Sequence, residues 1–442
     1  MAHKRRKKCP TEHFTATVTT LSHDGRGIAH IDGKTTFLFG GLPEEAVEFQ
    51  YQKIHSRYDE GKVVNVTNAS PDRTAPRCKH YGICGGCSLQ HIKPEAQIQH
   101  KLKAFLELMQ HAGCRPTELL PPITGNPWGY RRKARLSIKF LHKKDKVLVG
   151  FRERNGRFVA NLERCDILDP SIGEKISAFS DVLYQLKIRE QIPQIEIAVG
   201  DEKTAIIIRH LVNIESDDLN LLREFVTTHN LQLYLQPAGP DSIHLDWPTQ
   251  TNSLLNCTLP AYNLSLQFHP NQFIQVNQNI NDKMIAQALE LLTLTPTDRV
   301  LDLYCGIGNF SLPIAKYCQK VIGVEGSSQS VQQATNNARL NHIDNAEFFC
   351  TDLSQPTYNK NWAAHVFDKI VLDPPRTGAK EVIDSIPAWK AKRIVYISCN
   401  PATLARDAKL LQEKGYNLEK AGVMDMFPHT QHVEAIALFI KK

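Results

Sequence analysis

Two groups of residues in this chain of 442 have side-chain types and spacings that could do chemistry. The first is Cys78-Lys79-His80-Tyr81-Gly82-Ile83-Cys84-Gly85-Gly86-Cys87, a C-x5-C-x2-C run. Thiolates this close repel one another and oxidise unless something holds them. Glycines at 82, 85 and 86 let the backbone wrap a large object. An iron–sulfur cluster fits that description, and so does a single zinc ion, because C-x2-C is also a zinc spacing. Either needs a fourth ligand, and spacing alone does not choose between Cys114 and Cys165. The second group lies in the last third of the chain: a glycine loop with two acids beyond it, an Asp-Pro-Pro-Arg, an isolated cysteine and a late glutamate.

The glycine loop is Arg299-Val300-Leu301-Asp302-Leu303-Tyr304-Cys305-Gly306-Ile307-Gly308-Asn309-Phe310, an apolar strand pattern running into Gly-x-Gly and then a helix. Glycines there let a ligand approach the backbone closely at a strand's C-terminal edge. The next strand pattern ends in Glu325, placed to take both hydroxyls of a ribose, and the third leads to Asp352, near an adenine. The third glycine of a pyrophosphate-binding loop is missing, so a nucleoside cofactor without phosphates fits better, and S-adenosylmethionine is the obvious one. Two further strand patterns end in Asp373-Pro374-Pro375-Arg376 and in Ser398-Cys399-Asn400-Pro401. An isolated cysteine is more often core than catalytic, but Cys399 falls at the ligand-binding edge of this sheet. A thiolate there could attack C6 of a uracil and so make C5 able to take a methyl from a sulfonium. The C5 proton must then leave with a base, for which Glu434 is a candidate and His429 and His432 are alternatives.

The elements that must hold these groups follow from the hydrophobic patterns. Residues 12–70 read as short strands at 14–21, 27–31, 34–38, 46–54 and 61–67, broken by Asp24-Gly25 and Asp32-Gly33, which suggests a small barrel of the OB kind. The cysteine run comes next, then a helix at 94–112 and mixed α/β sequence to about residue 265. From residue 279 helices and strands alternate, as in a wound sheet with helices on its faces. The formal charge of +7 is concentrated: residues 71–170 hold 19 basic and 9 acidic side chains. Within 131–157 there are 11 Lys/Arg against Asp145 and Glu153 alone, in a pattern that predicts a hairpin with one basic face, suited to a phosphate backbone. A second basic run occupies residues 4–8. Composition excludes wholesale disorder, no apolar run reaches the ~18–20 residues of a membrane span, and no apolar stretch follows the basic N-terminus as it would in a signal peptide. A cytoplasmic protein is expected.

Taken together, these motifs resemble the RNA 5-methyluridine methyltransferases, and within them the bacterial 23S ribosomal RNA (uracil-C5) enzymes that carry an iron–sulfur cluster. The resemblance spans the chain. Asp24-Gly25-Arg26-Gly27-Ile28-Ala29 with Gly41-Leu42-Pro43 is similar to the TRAM barrel, and Asp373-Pro374-Pro375-Arg376 with Ser398-Cys399-Asn400-Pro401 is the most specific part. It implies an α/β, Rossmann-like methyltransferase domain at 266–442, a TRAM-like OB barrel at 12–70 behind a basic tail at 1–11, and a central α+β domain at 71–265. It implies a [4Fe–4S] cluster on Cys78, Cys84, Cys87 and Cys165. S-adenosylmethionine contacts would come from Gln275, Tyr304, Asn309, Glu325, Asp352 and Asp373, with Cys399 as nucleophile and Glu434 as base. The implied partner is 23S ribosomal RNA, with no membrane and no obligatory protein partner, and the chain is read as a monomer. The rivals are the same chemistry on tRNA, a 5-methylcytosine enzyme, for which a second catalytic cysteine in a proline-adjacent motif is lacking, and an RNA chaperone with a vestigial catalytic domain.

Overall fold

Residues 9–154, 156–249, 253–357 and 360–442 are described by a computed structural model, and the basic run at 4–8 lies outside them. The chain divides into two units. The first runs to Gly82 and takes up Gly86–Ala104 and Phe427–His432, while the second holds Ile83–Gly85, Phe105–Met426 and Val433–Lys442.

In the first unit the expected barrel has six strands rather than five, because the first is broken at Val18-Thr19 into Phe14–Thr17 and Thr20–Leu21. The break has a physical function. The first half pairs with Ala46–Ile54 and the second with Gly27–Ile31, so one bent stretch joins the two ends of the sheet and leaves neither open. Val18, at the bend, is fully buried with Ala29, Leu38, Val47 and Phe49. Asp32 and Gly33 both have positive φ (49° and 77°), the two-residue hairpin turn that the Asp-Gly pair announces. The helix predicted at 94–112 spans Pro94–His111.

The second unit contains two large sheets. One has the order His244–Trp247, Leu231–Gln236, Thr204–Arg209, Gln194–Val199, Lys133–Leu141, Lys146–Gly150. Helices Ile176–Gln185 and Ser216–Thr228 accompany it, and Phe179, Leu183, Leu222 and Val226 join its apolar core. The last two strands form the expected hairpin: Ala134, Leu136, Ile138 and Phe140 are buried and Arg135 and Lys139 point out. Its charge is less free than its composition suggests. Arg132 pairs with Asp201 at 2.5 Å, Arg135 with Glu196 at 2.8 Å, and Lys133 turns inward to donate to the Gln272 carbonyl.

The other sheet has eight strands. Its order is Ala346–Cys350, Lys320–Glu325, Arg299–Leu303, Lys369–Leu372, Arg393–Ser398, Glu434–Lys441, Tyr416–Met424, Glu118–Leu119. The first five run parallel and Glu434–Lys441 runs against them. The helices between these strands start on polar caps: Asn277 for Gln278–Leu292, Ser327 for Ser328–Leu340, Asn400 for Pro401–Glu413. A two-stranded hairpin, Leu255–Leu259 with Leu264–Phe268, is tied to the second of these helices by Asn337 and Asn341. The boundary expected at 265/266 therefore falls inside a strand. No helix among the described residues is long and apolar enough to cross a membrane.

Candidate active site

Because five strands of the large sheet are parallel, Leu303, Glu325, Cys350, Leu372 and Ser398 all end at one edge. The loops that leave this edge carry most of the residues singled out by sequence. After Leu303 the chain turns through Tyr304, Gly306 and Gly308 at φ of 65°, 56° and 95°. A side chain at the first of these is a strained choice. The backbone nitrogens of Tyr304 and Cys305 both donate to the Val324 carbonyl, and Gly306 N–H donates to the Glu325 carboxylate at 3.2 Å. The other Glu325 oxygen accepts from Ser327 N–H at 3.0 Å. The carboxylate is thus aimed at the glycine loop by backbone alone. Asp352 is exposed one strand further on, and hydrogen bonds from the Ser354 hydroxyl and amide hold its carboxyl below the usual range.

Asp373 follows Leu372 and accepts from Gln275 Nε2 at 3.4 Å, so the structure brings these two together. Burial, and then the charge of Glu325, push the Asp373 carboxyl up to about 7. Asn309 is otherwise occupied: it exchanges two hydrogen bonds with Asn281, at 2.9 and 3.0 Å. That pairing locks the loop to the helix Gln278–Leu292 and leaves its amide little freedom to turn toward a cofactor. Asp302 was not singled out by sequence. It is fully buried under the loop, accepts from the Ser311 hydroxyl at 2.5 Å, and is pushed up to about 7 by burial above all, with Asp373 and Glu325 adding to it. Its position inside the strand, apolar on both sides, is the signal that could have found it.

Cys399 sits on the turn between Arg393–Ser398 and the helix Pro401–Glu413. Asn400 fixes this turn three ways. Its side chain caps the helix through Ala402 N–H, its amide and carbonyl both meet the Ser398 hydroxyl, and its Nδ2 donates to the Arg376 carbonyl at 3.0 Å. The last contact ties the cysteine turn to the Asp-Pro-Pro-Arg loop. A buried network reinforces the tie. Asp407, fully buried, accepts from Ala379 N–H at 2.8 Å, Tyr396 OH at 2.7 Å and Arg406 Nε at 2.8 Å. Sequence reasoning missed it, since nothing local marks a helical aspartate as a clasp.

The antiparallel register places Ser398 opposite Ala435, so Glu434 stands across from Cys399. Glu434 is 8% exposed and Cys399 half-buried. Burial first, then the negative charges of Glu434 and Asp373, push the thiol up to about 11, with Arg376 pulling the other way. A thiol, a carboxylate within electrostatic reach of it, and a carboxamide–carboxylate pair beside the glycine loop are therefore gathered at one edge. His429 and His432, the alternative bases, fall in the first unit.

Residues 95–442 match the family model described as tRNA (uracil-5-)-methyltransferase, and residues 7–64 match the TRAM domain. The chain belongs to the tRNA (uracil-5-)-methyltransferase family. Among its relatives is the 23S rRNA (uracil(1939)-C(5))-methyltransferase RlmD of Alcanivorax borkumensis, 47% identical with 99% of each chain covered. The protein of the same name from Legionella pneumophila is 46% identical with 97% of each covered. In fold it is similar to the Pyrococcus abyssi tRNA (uracil-54, C5)-methyltransferase solved with S-adenosyl-L-homocysteine, at a TM-score of 0.74 and 22% identity, covering 97% of this chain and all of that one. The α/β methyltransferase architecture behind a TRAM domain of strands is thereby established.

The four cysteines expected to share a cluster are neither fully buried nor fully exposed. Cys78 and Cys87 belong to the first unit, Cys84 and Cys165 to the second, where both pack on the core of the central sheet. Among the described residues no group of three or more His, Cys, Asp or Glu is gathered as a metal site. Cys114, Cys257, Cys305 and Cys318 are buried, as core cysteines should be.

Proposed function

We propose that this family member methylates C5 of one uridine in 23S ribosomal RNA, through a covalent Cys399–C6 adduct and proton abstraction by Glu434. The observation that carries the reading is the pairing of Ser398 with Ala435, which sets a cysteine and a glutamate across from each other at the edge that holds the nucleoside loop. S-adenosylmethionine, when bound, supplies an electrophilic methyl group. Glu325 orients its ribose through the loop it already braces, and the Gln275–Asp373 pair lies between that loop and Cys399 in electrostatic reach. Cys399, its thiol proton passed to solvent, forms the S–C6 bond as the C5=C6 π bond opens, so C5 gains the electron pair that takes the methyl. Glu434 removes the C5 proton and the S–C6 bond breaks, restoring thiolate and double bond. The names of relatives covering almost the whole chain favour 23S rRNA over tRNA. The TRAM barrel and basic hairpin would grip strands around a base flipped into the site.

The same reading assigns Cys78, Cys84, Cys87 and Cys165 to a [4Fe–4S] cluster that staples the fold and positions RNA; methyl transfer itself needs no redox step. What supports the reading is that the four cysteines are neither fully buried nor fully exposed, and that Cys84 and Cys165 both pack on the core of the central sheet. The decisive experiment gives anaerobically purified protein labelled S-adenosylmethionine with unmodified 23S rRNA and tRNA, then identifies labelled nucleosides by mass. Label as 5-methyluridine in 23S rRNA supports the proposal. Label only in tRNA overturns the substrate, and no 5-methyluridine in either overturns the reaction.

A further inference from the structure

Beyond the basic hairpin the chain makes a second, tighter one. Arg152 pairs with Val159, and Glu153 N–H donates to the Phe158 carbonyl at 2.9 Å. Its other edge is fixed as well: Gly85 N–H donates to the Arg152 carbonyl and Arg154 N–H to the Ile83 carbonyl, both at 2.9 Å. Three short stretches thus form one hydrogen-bonded platform, and what it presents outward is unusual. Phe158, at 71% exposure, is the most exposed large apolar side chain among the described residues, and Ile83, on the neighbouring stretch, is 56% exposed. Arg152 and Arg157 beside them are exposed too. The platform closes the 27-residue stretch with 11 basic and two acidic side chains.

A lone exposed apolar residue on a floppy loop needs no explanation. Here the stretch that carries the ring is hydrogen-bonded to Arg152 and Glu153, which are in turn fixed to Ile83 and Gly85, and the ring still stands exposed. The turn beneath it is closely packed: a Cβ at Gly156 would lie 3.0 Å from a Glu153 oxygen and 3.5 Å from the Phe158 ring. We propose that Phe158, with Arg152 and Arg157 around it, is a stacking platform for an unpaired nucleobase of the RNA, the ring taking the base face and the guanidinium groups its flanking phosphates. Single-stranded RNA is gripped by this combination of aromatic faces and positive charge. A protein partner would cover the apolar pair but would gain nothing from the basic surplus, which favours RNA. The proposal rests on RNA being the substrate and adds a contact remote in sequence from the reaction edge.

The test measures binding of the full-length protein to an unmodified 23S rRNA transcript across a salt series, for wild type, Phe158→Ala, Phe158→Trp and Arg157→Gln. Loss of one stacked base corresponds to about 1–3 kcal/mol, so Phe158→Ala should weaken binding by about 5- to 150-fold. Its salt dependence should stay as in wild type, and turnover at saturating RNA should be unchanged. Phe158→Trp should bind like wild type. Arg157→Gln should weaken binding and flatten the salt dependence by about one counterion. Wild-type affinity in Phe158→Ala overturns the proposal, as does a lowered melting temperature in that variant, which would make the ring a packing residue, or failure of Trp to restore binding. If wild type binds the transcript without methylating it, the proposed reaction fails while the platform stands. If methylation is intact and Phe158→Ala binds normally, the platform alone fails.

Discussion

Replacing Glu434 by Gln should make Cys399 more reactive toward a small alkylating agent, even as it abolishes methyl transfer. The thiol stands at about 11, two above its ordinary 9.0, through burial first and then Glu434 and Asp373. At pH 7.5 only roughly one molecule in three thousand then carries the thiolate. Burial is the larger cause, so removing the Glu434 charge should return less than half of the rise, under about one pH unit, and raise the thiolate fraction by up to about tenfold. A less basic thiolate is also a weaker nucleophile, with a Brønsted slope of about 0.4–0.5, so the net gain at pH 7.5 is at most about three- to fourfold. The assay is iodoacetamide labelling across pH 7–11, read by mass on the peptide containing Cys399 so that the other cysteines do not interfere. The wild-type rate should climb about tenfold per pH unit to near pH 10 and bend over only as it approaches pH 11. Asp373→Asn should shift the profile the same way by less, and Arg376→Gln should shift it upward, because Arg376 is what lowers the thiol. An unchanged or raised midpoint in Glu434→Gln would refute the placement of the carboxylate against the thiol, whatever its effect on turnover.

Four other outcomes are expected. Glu325→Gln should weaken S-adenosylmethionine binding by about tenfold or more in calorimetry, as a charge-assisted pair of hydrogen bonds to the ribose becomes a neutral one. Asp407→Asn should lower kcat by about tenfold with a smaller change in KM, because a buried carboxylate serving three donors holds the Asp-Pro-Pro-Arg loop against the cysteine turn; equal loss of cofactor affinity would contradict a purely positional role. For Asp302 and Asp373, raised from 3.8 to about 7, the folded chain holds protons that the unfolded chain has lost between those values. Stability should therefore fall as pH rises from about 4 to about 7 and then level, and Asp302→Asn should remove about half of that slope in melting temperature. Cys84→Ser should abolish the iron and sulfide content of anaerobically purified protein, and full retention of both would exclude Cys84 as a ligand.

Much of this site was legible because its residues stand where apolar strands stop. Val300-Leu301-Asp302-Leu303, Val321-Ile322-Gly323-Val324 and Ile394-Val395-Tyr396-Ile397 each read as a buried parallel strand. Tyr304 and Glu325 follow the first two directly and Cys399 follows the third by two positions, and all fall at the common edge the pattern implies. The barrel was legible through Asp32-Gly33, whose positive φ angles need that pair. What stayed hidden depends on partners distant in sequence. Asn309 and Asn281 are 28 residues apart and their mutual amide pairing has no local signature. Asp407 occupies an ordinary helical position, and only the fold shows that it fastens two loops. Counting charges overstated the free basic surface for the same reason, since Asp201 and Glu196 come from other strands to meet Arg132 and Arg135.

One reversed strand accounts for the juxtaposition of Cys399 and Glu434. Five parallel strands deliver their C-terminal ends to one edge, so each contributes its last residue or the one after it: Tyr304, Glu325, Thr351, Asp373 and Cys399. Were Glu434–Lys441 parallel as well, its first residue would lie at the opposite edge, a strand length away from the thiol. Running antiparallel beside Arg393–Ser398, it instead begins where that strand ends, so Glu434 faces Cys399 with no loop needed to carry it there. Met424, the last residue of Tyr416–Met424, pairs with Glu434 from the other side and keeps this end of the strand in the sheet. The strand's backbone is thus paired on both flanks from Ala435 onward, and Glu434 itself with Met424. That position suits the proposed base, which would remove a proton from a uracil held by the neighbouring thiolate, and the Glu434 charge raises the thiol's pKa at the same time. The two demands conflict in the resting protein, and a bound sulfonium, being positive, would ease that conflict when the methyl donor is in place.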